Sequence, residues 1–344
     1  MKLSTTSLQN FLNSHKINFV NNYDLTKKSW IRSGGKIRIF IKLKNLYEIK
    51  KVLNFLKANQ CNYYVIGNIS NTLIRDGEII TPFINLSLFN KVKQINNKNG
   101  LHFFAGSGVS IPVLSKYVTN KGYTGLEGLF GVPGTLGGGV FMNASSYGDN
   151  LTKNIHKIIS INSDEKIIVT KREDANFSWR SSQFQENKNL IVGVYFFFPK
   201  EKKINKELSE YKLRQFLDIR RKSQEKIHPN LGSLFATKNI YSDLKFVSHL
   251  FFFLFILNKL VNFIFFKKVF KKYLLNMRTL INLIYLKSLK LDNKSNFTLS
   301  NKTINCLINR GSIKSSDGIN LVRKFQKKIN NKIKLEIIIL DKIL

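Results

Sequence analysis

Acidic residues are scarce in this 344-residue chain: 21 Asp and Glu stand against 56 Lys and Arg, a formal net charge of +35. That imbalance gives the surface an affinity for anions, whether nucleic acid, an anionic membrane or a phosphorylated ligand. The lysines are mixed throughout with Asn, Ile and Phe, as AT-rich codon usage produces, and no recognised nucleic-acid-binding motif accompanies them. No specific nucleic-acid partner is therefore expected. Cysteine is nearly absent. Cys61 and Cys306 stand in unrelated contexts without a CxxC, so a zinc ribbon and a redox pair are both unsupported. The five histidines, His15, His102, His156, His228 and His249, are scattered, and no metal site is expected. The start, "MKLSTTSLQNFLNSHKINF", has no continuous apolar core of a secretion signal, which predicts a cytoplasmic protein with reduced thiols. Both strict nucleotide signatures are missing too: there is no GxxxxGK[ST], and no GxGxxG opens a helix after the first strand.

Glycine, by contrast, is concentrated. Residues 125–148, "GLEGLFGVPGTLGGGVFMNASSYG", hold eight glycines interleaved with Leu126, Leu129, Phe130, Val132, Leu136, Val140 and Phe141. Glycine loses more backbone freedom on folding than any other residue, and a flexible linker would be polar. The segment is therefore packed, and its backbone comes close to something. "NYYVIGNISNTLI" (62–74) is a strand running into a Gly/Ser/Asn turn and out again, and "LHFFAGSGVSIPVLSKYVTNKG" (101–122) is a strand, a Gly-Ser turn and a helix. Exposed N–H groups in such turns form concave anion sites. Three within one short span suggest an extended phosphate-bearing cofactor. Around them, 7–14 and 47–60 read as helices, 36–43, 166–170 and 190–198 as strands, and 201–227 as a basic helical connector. The ending reads as loop, helix and strand, and the whole as α+β.

Five stretches in order carry a resemblance: "VIGNISNTLI" (65–74), the 125–148 segment, "FSWRSSQF" (177–184), "NLGSLFATKN" (230–239) and "LINRGSIKSSDGINLV". Together they resemble the UDP-N-acetylenolpyruvoylglucosamine reductase family over nearly the whole chain. The resemblance implies a vanillyl-alcohol-oxidase-type FAD-binding fold in two lobes, residues 1–92 and 93–205. A C-terminal α+β substrate domain, 206–344, follows, with an apolar-basic insert at about 246–291. It implies NADPH-dependent reduction, through non-covalent FAD, of UDP-N-acetylglucosamine enolpyruvate to UDP-N-acetylmuramate for peptidoglycan synthesis. In that chemistry NADPH reduces FAD, and the flavin then passes hydride to the vinyl carbon of the sugar-nucleotide substrate. Two readings stay open beside it: a non-catalytic flavoprotein keeping the fold, and a flavin oxidoreductase for another sugar nucleotide.

The resemblance also implies roles. Gly67, Ser70 and Asn71 would cradle the FAD pyrophosphate. Gly131, Pro133, Gly134, Thr135, Gly137, Gly138 and Asn143 would lie along the cofactor. Where the family has glycine in the first loop this chain has Ile69, and a β-branched residue takes positive φ only at a cost. Arg180 would bind the substrate carboxylate, its planar fork suiting that group. Ser233 would give a proton to the substrate carbanion, with help from its neighbours. The third family residue is a glutamate, the second Glu of an "LExE" strand. Here the strand reads "LEIIIL". Ungapped, Ile338 falls at the catalytic position; a two-residue deletion makes Glu336 the match and keeps later side chains on their faces.

The longest unbroken apolar run of the insert, Leu250–Leu257, is far shorter than the roughly 20 residues of a spanning helix. Residues 246–268 read as an amphipathic helix with Ser248, Asn258, Lys259 and Asn262 on one stripe. Such a helix packs on the domain or lies in a membrane interface.

Overall fold

The computed structural model describes residues 4–264, 271–291 and 296–343. The N-terminal part begins with α1 (Thr5–Ser14), whose Leu8 and Leu12 lie one turn apart and are buried, and which Ser4 caps. Next come β1 (Asn18–Asp24), α2 (Leu25–Lys28), β2 (Lys36–Lys42) and α3 (Leu46–Ala58). Ile49, Val52, Leu53 and Leu56 recur at helical spacing on α3 and bury one face of it. In β2, Ile39 and Ile41 pack with α1 and α3, while Ile37 and Phe40 join a separate cluster. Short strands β3 (Tyr64–Val65), β4 (Thr72–Ile74), β5 (Glu78–Ile79) and β6 (Phe83–Asn85) follow. The sheet runs β1-β2-β6-β3 with β5 on β2; β1 is antiparallel to β2 and the other pairs are parallel.

The second part contains β7 (Val92–Ile95), β8 (Gly100–Gly106), α4 (Ile111–Asn120), α5 (Leu136–Phe141), β9 (Ser145–Ser146) and β10 (Asp149–Asn150). It continues with β11 (Ile155–Ile161), β12 (Ile167–Lys171), α6 (Phe184–Asn187) and β13 (Leu190–Pro199). Its antiparallel sheet runs β12-β11-β13-β8-β7. Helix α7 (Lys206–Ser223) stays with this part: it packs on α4, and Ser209 Oγ donates to the Tyr123 carbonyl and the Glu127 carboxylate. The boundary expected at 205/206 therefore falls ahead of a helix that belongs with the second sheet.

The third part holds β14 (Asn230–Ser233), α8 (Ile240–Leu244), α9 (His249–Ile264), α10 (Lys271–Leu289), β15 (Phe297–Leu299), β16 (Cys306–Asn309) and α11 (Ser315–Lys328). Its sheet, β14-β16-β15, carries a core in which Phe235 and Phe325 meet edge-on at 4.9 Å. The helix expected over 246–268 begins at His249, and residues 265–268 lie outside the described residues. Among the described residues no helix is long and apolar enough to cross a membrane. The last strand, β17 (Ile338–Leu340), does not stay with this sheet. It pairs in parallel with β4, Ile338 opposite Thr72, and Ile343 packs in the first part's core. Residues 338–343, expected in the third domain, thus close onto the first part.

Candidate active site

Two loops from different sheets meet beside β4. The first, residues 66–71, joins β3 to β4. Ile69 lies within it at φ 53°. The left-handed conformation costs an L-residue roughly 1–2 kcal/mol. The side chain, 3% exposed, packs with Leu25, Ile66 and Ile74, which offsets a cost of that size. Among the described residues, none accepts a hydrogen bond from the backbone N–H groups of Gly67 to Asn71. A run of free donors around a left-handed residue is a concave anion site.

The second loop, 131–135, is held against the first. Ser70 Oγ donates to the Pro133 carbonyl at 2.8 Å. A Cβ on Gly67 would stand 2.6 Å from Thr135 Oγ1, so only glycine admits that approach. A Cβ on Gly134 would meet nothing nearer than 3.4 Å, and one on Gly138 nothing nearer than 3.5 Å. Free donors on one loop and open glycine backbone on the other fit a pyrophosphate-bearing cofactor such as FAD. Three expected cofactor contacts have other work. Gly131 makes room for Arg220, whose Cδ would lie 2.5 Å from an added Cβ, and Gly137 packs on Ser107. The Asn143 amide is consumed by protein. It donates to the Ser178 carbonyl at 2.6 Å and accepts from Thr152 Oγ1 at 2.7 Å and Asn150 Nδ2 at 3.1 Å.

Asn143 thereby anchors the loop that carries Arg180. Ser178 and Ser181 exchange backbone hydrogen bonds across that loop, and Arg180 sits at its turn with φ 54°. Gln185 Nε2 donates to the Arg180 carbonyl at 3.1 Å, and Arg180 Nη2 donates to the Ser145 carbonyl at 3.0 Å. Glu336 arrives from the C-terminal segment. Its N–H donates to the Leu234 carbonyl at 2.9 Å, and its own carbonyl accepts from Asn71 Nδ2 at 2.9 Å. Asn71, expected at the cofactor, therefore also fixes this segment. The Glu336 carboxylate lies 3.0 Å from Arg180 Nε, with both side chains about 15% exposed. The two-residue deletion is thus the alignment that puts a carboxylate beside Arg180. Ile338 instead takes its place in β17, donating its N–H to the Asn71 carbonyl.

Ser233 is the residue before Leu234, so its backbone adjoins that of Glu336. Strand β14 carries one extra residue between Asn230 and Ser233 relative to β16, a bulge made by Gly232 at φ 75°. The bulge leaves Ser233 exposed. Upstream, the loop into β14 is tied by Glu225, which accepts from three successive N–H groups and from Ser300 Oγ. Burial pushes the Glu336 carboxyl above the ordinary range, and Arg180 only partly reverses the shift.

Two residues beside this group lie inside the quoted motifs, which assign them no role. Trp179 holds the Arg180 guanidinium at 5.3 Å from its ring and the Lys238 ammonium at 5.8 Å. Trp179, Thr237, Lys238 and Asn239 line a cleft of about 430 Å³. The sequence clue to them is their place inside the Arg180 and Ser233 motifs.

A family profile described as an FAD binding domain matches residues 37–171. A UDP-N-acetylenolpyruvoylglucosamine reductase of Clostridium novyi is 28% identical over 240 residues, 70% of this chain and 75% of the relative. One from Carboxydothermus hydrogenoformans is 32% identical over 215 residues, 62% of this chain and 69% of the relative. The crystal structure of the reductase of that name from Thermus caldophilus superposes with a TM-score of 0.64 at 20% identity. It covers 94% of this chain and 98% of that one, a likeness of fold.

Proposed function

This chain belongs to the UDP-N-acetylenolpyruvoylglucosamine reductase family. From that premise we propose that it reduces UDP-N-acetylglucosamine enolpyruvate to UDP-N-acetylmuramate for peptidoglycan synthesis in the cytoplasm, with NADPH as reductant and non-covalent FAD between them. The supporting observation is the convergence of Arg180, Glu336 and the Ser233 bulge beside a loop of free N–H donors. FAD, when bound, supplies hydride acceptance and delivery.

The chain's own residues do the rest. The N–H groups of Gly67 to Asn71 hold pyrophosphate charge. Arg180 holds the substrate carboxylate, onto which negative charge spreads as the vinyl carbon takes hydride; a cation already fixed there needs no reorganisation. The Ser145 carbonyl and Glu336 fix that guanidinium. Ser233 Oγ gives its proton to the adjacent carbon. The Glu336 carboxyl, raised by burial, is suited to carry a proton beside the developing charge. Lys238, in the lining of the cleft, offers a cation to the diphosphate.

Ser233→Ala tests the assignment. Stopped-flow absorbance should show flavin reduction by NADPH nearly unchanged and flavin reoxidation by the enolpyruvyl substrate slowed about 10²- to 10⁴-fold, the usual weight of a general acid. Equal slowing of both halves would remove Ser233 from that role.

A further inference from the structure

Helix α9 has two apolar faces, and the fold uses one. Phe251, Leu254 and Phe255 turn inward, with Phe251 stacked on the buried Tyr285 of α10 at 5.7 Å. Opposite them, Leu250, Phe253, Ile256 and Leu260 recur at helical spacing and are 39–64% exposed; Phe252 beside them is 53% exposed. Of the expected polar stripe, the Asn262 side chain lies outside the described residues, and Ser248, Asn258 and Lys259 do not form the outer face. Large apolar side chains do. An exposed apolar patch of this kind on a soluble domain marks a contact surface.

Charge says which contact. From residue 246 to 291 the sequence has seven lysines, one arginine and no acidic residue. Lys259 follows Phe252 by seven residues, about two helical turns along the same side of α9, and is exposed, so a cation borders the outer apolar face. A second copy of the chain docking there would bring two such acid-free segments together and pay for their repulsion. An anionic lipid surface answers both features, taking the apolar side chains among its acyl chains and pairing the lysines with headgroups. The 16 described residues of α9, roughly 24 Å, are short for a span but suited to lying in the interface.

We propose that the outer face of α9 docks this protein on an anionic membrane surface. The surface shares no residue with the Arg180–Glu336 pair, and the docking needs no flavin chemistry, so it stands or falls apart from the function above. The test is flotation of the full chain with vesicles of phosphatidylcholine alone or mixed with phosphatidylglycerol. The protein should float with the anionic vesicles and not with the neutral ones. Phe252→Ser/Phe253→Ser keeps every charge and alters only exposed positions, and it should lower the bound fraction about tenfold or more. Phe253→Trp should be quenched by brominated acyl chains in anionic vesicles. The proposal is overturned if the parent does not float, if the double variant floats like the parent, or if the tryptophan is not quenched. It is overturned equally if sedimentation shows a dimer that the double variant abolishes.

Discussion

Glu336 is where a single residue decides most. The motif leaves two candidates, since an ungapped strand puts Ile338 at the family's acid. The sequence leans to Glu336, since "IIIL" then continues the apolar strand in register, but both alignments preserve strand alternation. The choice rests on a contact between residues 156 apart, Arg180 and Glu336 at 3.0 Å. Glu336→Gln should slow substrate reduction by two or more orders of magnitude, roughly the weight of an acid-base group, and leave flavin reduction by NADPH alone. Ile338→Glu should do little. An inactive parent rescued by Ile338→Glu would show that the acid had been lost. Gly67 gives a second test at this scale. Gly67→Ala puts a methyl 2.6 Å from Thr135 Oγ1, which must rotate away and release its cap on Gly138. Flavin titration of the apoprotein should show about tenfold weaker binding, near 1.4 kcal/mol. Gly67→Ala/Thr135→Ala should bind more tightly than Gly67→Ala. Equal affinities of parent and Gly67→Ala would disprove the close-approach argument. The glycine motif was legible in the sequence; that Gly131, Gly137 and Asn143 serve the protein was not, because it depends on neighbours distant in the chain.

Elements rich in local pattern were legible as well. Helices α3 and α4 and strands β2, β8 and β13 all lie where apolar spacing and turn residues put them. What spacing could not reveal is which strand takes which partner: the pairing of β17 with β4 joins segments more than 260 residues apart. A cap shows the same limit. Helix α11 begins after Lys314, which gives no side-chain cap. Asp76, from the turn after β4, supplies it instead, accepting from the Ser315 N–H at 2.6 Å and the Ser316 N–H at 2.9 Å. Burial alone would raise the Asp76 carboxyl, but the hydrogen bonds from Ser316 and Ser315 outweigh it and hold the group below its usual range. A lowered carboxyl stabilises the fold above its unfolded pKa, near 3.9, and that stability fades as pH falls through the folded value. Asp76→Asn should therefore cost about 1–2 kcal/mol at neutral pH. The gap in melting temperature between parent and variant should narrow below about pH 4. A gap that persists undiminished in acid would deny the charged cap.

At the scale of the molecule, the site draws on all three parts: the 66–71 loop of the first, the Arg180 loop of the second, and the Ser233 bulge with the C-terminal segment from the third. The ordered motifs made that assembly legible as a family resemblance. That Lys238 and Trp179 line one cleft was not legible, since a cleft exists only once the parts are packed. The measurement that bears most directly on the proposed function is the flavin spectrum of the purified protein through one turnover. Under anaerobic conditions NADPH should bleach the absorbance of bound FAD, and adding UDP-N-acetylglucosamine enolpyruvate should restore it with formation of UDP-N-acetylmuramate. A flavin that NADPH reduces but the enolpyruvyl sugar nucleotide leaves bleached would contradict the account.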